Sequence, residues 1–405
     1  MATQAPEKQI PDHVPPELVH HISLINGADF LADPYEFLAG LHDRTPPIFY
    51  SINPTGPAWH LRKHEDAFFM LRNTEYFSNE DGLPFPRDPN DPFPMIPIEI
   101  DPPHHRKYRA ILDPVFSPQG IKRMEARIRD LSNELIDEVI DKGGCEFTTA
   151  YARPLPVGIF LELMGLPQSM RDTFVTWVVD LLSFAPEERH KMAAAMKSID
   201  AYMKEAIAEK RKNPADDVMS RIIAARPGGE PLSEKEVFGF VFFLFIAGID
   251  TVYATMNNMW LWLARNPDRR HEIISRPNDM QQIIEELLRM WGTTFSGRRL
   301  VKDLELRGVK MKAGEKVTSI LPACNYDPEV FPNPKEVDFD RTRKPILSFA
   351  GGVHACMGAH LARLEITIGM EEWLRRIPEF SLQPDAKITY EPAGVVGPVA
   401  VPLVW

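Results

Sequence analysis

Cysteine is scarce. Three in 405 residues exclude a disulfide framework and are too few and too scattered for an iron–sulfur cluster. Cys145, Cys324 and Cys356 read as reduced thiols of a cytosol. A basic excess is missing too: 46 Lys+Arg against 57 Asp+Glu give a net charge of −11, and no long basic run suggests a nucleic-acid partner. Residues 1–20 lack the basic-then-apolar order of a secretory signal. The most apolar run, Val237–Ile249, is shorter than the roughly 18–20 residues of a bilayer span. No membrane is expected, and the expected location is the cytoplasm. No GxGxxG stands in the chain, and no second cysteine lies near Cys356, so neither a nicotinamide or flavin motif nor a zinc site is legible. Internal repeats and low-complexity linkers are absent, and residues 1–405 are read as one domain.

Proline, by contrast, is abundant, with 38 residues. Residues 1–18 are proline-rich and polar, a surface arm. Eight prolines lie between Pro84 and Pro103; a fixed φ and a missing N–H at each forbid a helix there. The apolar members of that loop, Phe85, Phe93, Met95 and Ile96, suit either a binding lid or a loop stapled to the core. Helical periodicity follows. Ile121, Met124, Ile128, Leu131, Leu135 and Val139 recur at spacings of three and four up to Gly143–Gly144, predicting one helix with Pro118 just ahead of it. Further helices are predicted over 155–165, 170–183, 190–211 and 215–225. Strand-like runs are short: 48–51, 59–62, 317–321 and 399–405. The class is mainly α with small β-sheets.

The longest predicted helix opens at a Ser233/Glu236 capping box and runs to Asn266, before Pro267. Its middle is apolar nearly all round and must cross the core. There stands Ala247-Gly248-Ile249-Asp250-Thr251. A Gly, an Asp and a Thr in a buried helix break local rules, as functional sites do; a packing glycine with a threonine bonded to its i−4 carbonyl is the bland account.

Phe349-Ala-Gly-Gly352-Val-His354-Ala-Cys356-Met-Gly358 precedes another helical run, 359–375. Glycines on both sides leave room for N–H groups to point at the sulfur, and a helix N-terminus favours its thiolate. A single thiolate in a glycine-shaped loop suits haem; a nucleophile or a plain buried thiol is the alternative. Glu286 and Arg289 form an i, i+3 pair that by itself reads as an exposed ion pair worth about 0.3 kcal/mol. His105 and Arg109, four apart where a helix follows Asp101-Pro102-Pro103, share one face and suit an anion, or simply solvent.

Taken together and in this order, these motifs resemble the cytochrome P450 superfamily of haem-thiolate monooxygenases, in particular its camphor-hydroxylating bacterial members, with IFLELMGLP (159–167), GIDTV (248–252), EELLR (285–289), HLARLE (360–365) and PLVW (402–405) shared or nearly so. The resemblance implies the P450 fold, with haem b (iron protoporphyrin IX) between the long helix and the cysteine loop. It implies Cys356 as the axial iron ligand within a loop opened by Phe349, and His105, Arg109, Arg298 and His354 around the propionates. Asp250 and Thr251 would be the acid–alcohol pair that handles protons. Glu286 and Arg289 would brace the fold together with 333–341. Phe93, Phe243, Ile246 and Ala247 would line the substrate pocket with Thr293, Thr294, Phe295 and Val395. Where camphor hydroxylases carry a tyrosine that bonds the ketone, this chain has Phe93. Phe243 and Phe295 replace smaller aliphatics, and Ser296 replaces an aspartate beside Arg298. The implied substrate is therefore small, hydrophobic and terpenoid-like, a norisoprenoid or monoterpenoid ketone, with poor binding of camphor. Electrons would come from a [2Fe–2S] ferredoxin with its NAD(P)H-dependent reductase, docked on Arg106, Lys107, Arg109, Arg343 and Arg363, and O2 is the oxidant. A monomer is expected. A peroxide-driven peroxygenase, a haem-thiolate sensor and a cysteine hydrolase are the other readings; the Asp250–Thr251 pair speaks against the first.

Overall fold

A computed structural model of the protein describes residues 10–53, 56–80, 92–182 and 188–405; Phe85, with the first half of the proline loop, and the start of the N-terminal arm lie outside them. The long helix spans Glu234–Arg265. Its capping box is complete: the Ser233 N–H donates to Glu236 Oε2 at 2.8 Å and the Glu236 N–H to Ser233 Oγ at 3.3 Å. Two otherwise orphaned donors are thereby satisfied. Among the described residues this is the one helix long and apolar enough to cross a membrane, yet 72% of its most apolar stretch is buried inside the protein.

Helices at Pro154–Met164, Arg171–Leu182, Arg189–Lys212 and Val218–Ala224 match the periodic segments and surround it. The run predicted as one helix over 121–139 is two, Pro118–Lys122 and Glu125–Asp137. The break falls at Arg123 and Met124, whose dihedrals stay right-handed. Apolar spacing thus continues across it and hides it from a periodicity argument. Gly143, at φ 69°, ends the segment.

Five strands form a mixed sheet in the order Ile48–Asn53, Gly56–Leu61, Lys316–Ser319, Ser296–Leu300, Phe77–Ser78. Only Gly56–Leu61 with Lys316–Ser319 is parallel. Pro402–Val404 lies between Gly144–Glu146 and Ser381–Leu382 in a second sheet. Ser296–Leu300 was not legible as a strand, because SGRRL carries neither alternation nor β-branched residues. The core behind the long helix is aromatic: Phe147 stacks on Trp260 at 4.9 Å and meets Trp373 edge-on at 5.0 Å. Burying each such ring contributes roughly 1.5–3 kcal/mol or more. That core anchors the C-terminal third of the long helix.

Candidate active site

The long helix presents Phe243, Leu244, Ala247, Gly248, Thr251, Val252 and Thr255 to one cavity. The spacing is 1, 3, 1, 3, 1, 3, a single stripe on a 3.6-residue helix. A second wall is the cysteine loop, Phe349–Gly358, continued by Leu361, Ala362, Glu365 and Ile366 of the helix Ala359–Arg376. Gly352 shapes the loop. It sits at φ 69°, and a Cβ there would lie 2.0 Å from the Leu71 carbonyl oxygen, so no other residue fits.

Cys356 lies deep in the molecule but is open to this cavity. Burial pushes its thiol up; the N–H groups of Gly358 and Ala359 and the charges of Arg109 and Arg363 pull against it. A positive partner on the sulfur would complete the stabilisation that these groups begin.

At the edge of the cavity His105, Arg109 and His354 converge, with Arg298, which is not among the lining residues, close enough to act on His354. The rings of His105 and His354 are 4.3 Å apart. Both ring nitrogens of His354 and Nε2 of His105 are buried with no hydrogen-bond partner. Burial, then the nearby His105, Arg298 and Arg109, push His354 down to about 3. Arg298 is likewise pushed down to about 10 by burial, against the pull of Asp101. Its Nη1 donates to the Ser296 hydroxyl at 2.8 Å and the Gly297 carbonyl at 2.7 Å, so Ser296 orients the guanidinium without neutralising it. Arg109 reaches the Ala355 carbonyl at 2.8 Å and pairs with Asp113 at 3.0 Å. Buried ring nitrogens without partners, beside a buried guanidinium that no carboxylate bonds, are costly unless an anion answers them. Two carboxylates on the rim of a flat group would do so, and the haem fits on that ground: one sulfur, a glycine-shaped wall and orphaned nitrogens at one edge.

Asp250 does not line the cavity with Thr251. Neighbours on a helix point about 100° apart, and Asp250 turns to Tyr253, whose hydroxyl donates to it, and to the charge of Arg153. Burial pushes the carboxyl up to about 6, with Tyr253 and Arg153 opposing; its Oδ1 is buried and unpartnered. Arg153 lies over the Tyr253 ring at 4.7 Å. Thr251 Oγ1 makes a long 3.4 Å contact to the Ala247 carbonyl, and Thr255 Oγ1 donates to the Thr251 carbonyl at 2.9 Å.

Of the sequence-predicted pocket residues, Phe243, Ala247, Thr293 and Thr294 line the cavity, and Phe93, Ile246, Phe295 and Val395 are not among its lining residues. Ile246 falls off the helical stripe. Phe93 turns its ring onto Phe238 and Phe242. Phe295 packs against the main core. Val395 is half-buried beside Val396, whose N–H donates to the Thr293 carbonyl at 2.8 Å.

Three polar residues of the cavity escaped the sequence reading: Thr255, Glu365 and Ser348, whose hydroxyl donates to the Leu288 carbonyl at 2.6 Å. Thr255 could have been found by extending the stripe one turn beyond Thr251. Glu365 is 2% exposed, and burial pushes it up to about 8. HLARLE named it only as part of a string. Glu286 and Arg289 are not among the lining residues, although Leu288 between them is, and both are buried. Arg289 Nη2 and Nε meet the two Glu286 oxygens at 2.7 and 2.9 Å, and Arg289 also donates to the carbonyls of Asn325, Pro334 and Glu336.

Residues 161–275 and 279–397 match the family model described as Cytochrome P450. The chain is 37% identical to "Probable cytochrome P450 127A1" of Sinorhizobium fredii, over 92% of this chain and 91% of that protein. It is 32% identical to a mycinamicin IV hydroxylase/epoxidase of Micromonospora griseorubida, covering 89% and 93%. Among solved structures, cytochrome P450 CYP101C1 superposes with a TM-score of 0.86 at 28% identity, covering 98% of this chain and 99% of the other.

Proposed function

Because this chain belongs to the cytochrome P450 family, monooxygenases that carry haem b, we propose that it inserts one atom of O2 into a C–H bond of a small hydrophobic, terpenoid-like substrate, with electrons from a [2Fe–2S] ferredoxin and its NAD(P)H-dependent reductase. The observation that carries this reading is the shared cavity: Cys356 in one wall, Thr251 in another, and apolar side chains such as Leu244, Val252 and Phe243 around them. In this reading Cys356 binds the iron, and His105, Arg109, Arg298 and His354 answer the propionates. The bound haem supplies O2 binding and reduction, and thiolate donation favours O–O cleavage. Thr251 presents its hydroxyl to the cavity and hands protons inward. Asp250, its carboxyl pushed up to about 6 behind the stripe, exchanges protons between that hydroxyl and the outside. Phe349 closes the loop wall and stacks under the Arg363 guanidinium at 4.3 Å.

Thr251→Ala should leave haem binding intact and uncouple turnover. The ratio of product to NAD(P)H consumed falls, and hydrogen peroxide rises to match. Unchanged coupling would remove Thr251 from the proton path. Peroxide supplied without ferredoxin should support little product, since the acid–alcohol pair serves O2; efficient peroxide-driven turnover would favour the peroxygenase reading instead.

The docking face draws on Arg106, Lys107 and Arg343, which are exposed. Arg109 and Arg363 are half-buried and paired with Asp113 and Glu285, so they contribute less. A basic patch on an acidic protein sets association rate more than affinity. Reduction by an acidic ferredoxin should slow steeply between low and physiological ionic strength in stopped-flow mixing; a flat response would exclude this face. The same reading makes the protein a cytoplasmic monomer.

A further inference from the structure

Gly239 stands inside the long helix, two turns before the cavity stripe reaches Ala247. A helix interior disfavours glycine, so the position calls for a reason. A Cβ on Gly239 would lie 1.8 Å from the Pro94 carbonyl oxygen and 3.4 Å from Phe93 Cδ2. The first contact is with backbone, which cannot swing aside. The loop thus rests directly on the helix, in the notch left by a missing side chain. Beside that notch Phe93 meets Phe238 at 4.7 Å and Phe242 at 5.2 Å, both edge-on, and Met95 and Ile96 are fully buried.

The segment is held at its other end as well. The Asn79 side-chain amide donates to the Ile98 carbonyl at 2.8 Å, and the Asn79 N–H donates to Asp101 Oδ1 at 3.0 Å. Within it, the Met95 N–H donates to Glu99 Oε2 and the Glu99 N–H to the Met95 carbonyl, both at 2.9 Å. Pro97 and Ile98, between the two anchors, are the part that lines the cavity.

We infer that Gly239 is a specificity-determining residue: by seating Pro94 it fixes the height of the Pro97–Ile98 roof, and so the size of ligand that the cavity accepts. The inference rests on the reading of this cavity as the substrate site. It replaces the expected role of Phe93, which acts from the roof's anchor and not from the cavity wall.

The test pairs Gly239→Ala, which fills the notch, with Phe93→Ala, which loosens the same anchor from the loop side by removing its contacts with Phe238 and Phe242. Alanine inside a helix ordinarily stabilises it, which offsets part of the cost of displacing the loop, so Gly239→Ala should remain folded while the roof lifts. Hydrogen exchange of the Met95, Glu99 and Ile100 amides should quicken about tenfold or more in both variants. The ratio of dissociation constants for a bulky and a small apolar ketone, read from the ferric haem spectrum, should move roughly tenfold towards the bulky one. Unchanged exchange in Gly239→Ala overturns the seat. Faster exchange with an unchanged ketone ratio overturns the claim on specificity. Failure of the haem reading itself would show separately, as wild-type protein with no haem band, and the exchange result would still decide the seat.

Discussion

Cys356→Ser should abolish product formation and the optical signature of thiolate ligation in the reduced, CO-bound protein, while leaving the polypeptide folded. Cys356 is the one sulfur of a cysteine that opens on the cavity. Its side chain contributes no packing to the hydrophobic clusters, in contrast to Cys324 in the core. The surrounding groups are tuned for an anion: two backbone N–H groups and two arginines favour a charged sulfur against the burial that opposes it. A serine hydroxyl, ionising far less readily than a thiol, cannot recruit them in the same way. Cys145→Ser and Cys324→Ser, which leave the cavity untouched, should keep the signature. Thiolate ligation surviving in Cys356→Ser would transfer the role to another residue and undo the assignment of the loop.

Glu286→Ala should destabilise the folded protein by about 3–5 kcal/mol, the usual cost of leaving one member of a buried ion pair uncompensated. Both members are nearly inaccessible, with side chains 1% and 5% exposed. The pair does more than close on itself. Arg289 ties the helix Met280–Met290 to the carbonyls of Asn325, Pro334 and Glu336, and Glu286 receives the Arg341 guanidinium at 3.1 Å and the Asp338 N–H at 3.0 Å. Removing the carboxylate therefore frees two guanidinium groups and one backbone donor together. The thermal midpoint should fall on the order of 10 °C, with haem lost earlier in the transition. Arg289→Lys should be nearly as damaging, since an ammonium cannot make a bidentate pair and three carbonyl bonds at once. A midpoint within experimental error of the wild type in either variant would return the pair to the surface role that its spacing alone suggests.

That contrast shows what a sequence can carry. Ser233 with Glu236 announced both the start and the capping geometry of the long helix, because the interaction spans three residues and needs nothing else. Glu286 and Arg289 have the same spacing, yet their energetics depend on burial by 325–341, which no local pattern reveals. Cys356, His354 and Thr251 were legible through rare residues at fixed offsets. Of the residues expected in the pocket, Phe243 and Ala247 line this cavity and Ile246 does not, since membership turns on helical phase. Phe93 is off the cavity wall for a different reason: its ring packs on Phe238 and Phe242, well over a hundred residues away in the chain, and that contact exists only in three dimensions.

The most direct test of the account is a ferric haem spin-state titration of the wild-type protein, adding camphor, larger terpenoid ketones and a steroid in turn. The haem-thiolate cavity predicts a haem spectrum and a strong, saturable shift with the larger ketones, weak with camphor. A protein without a haem band would contradict the central claim. A full shift with camphor or the steroid alone would keep the enzyme class and overturn the proposed substrate.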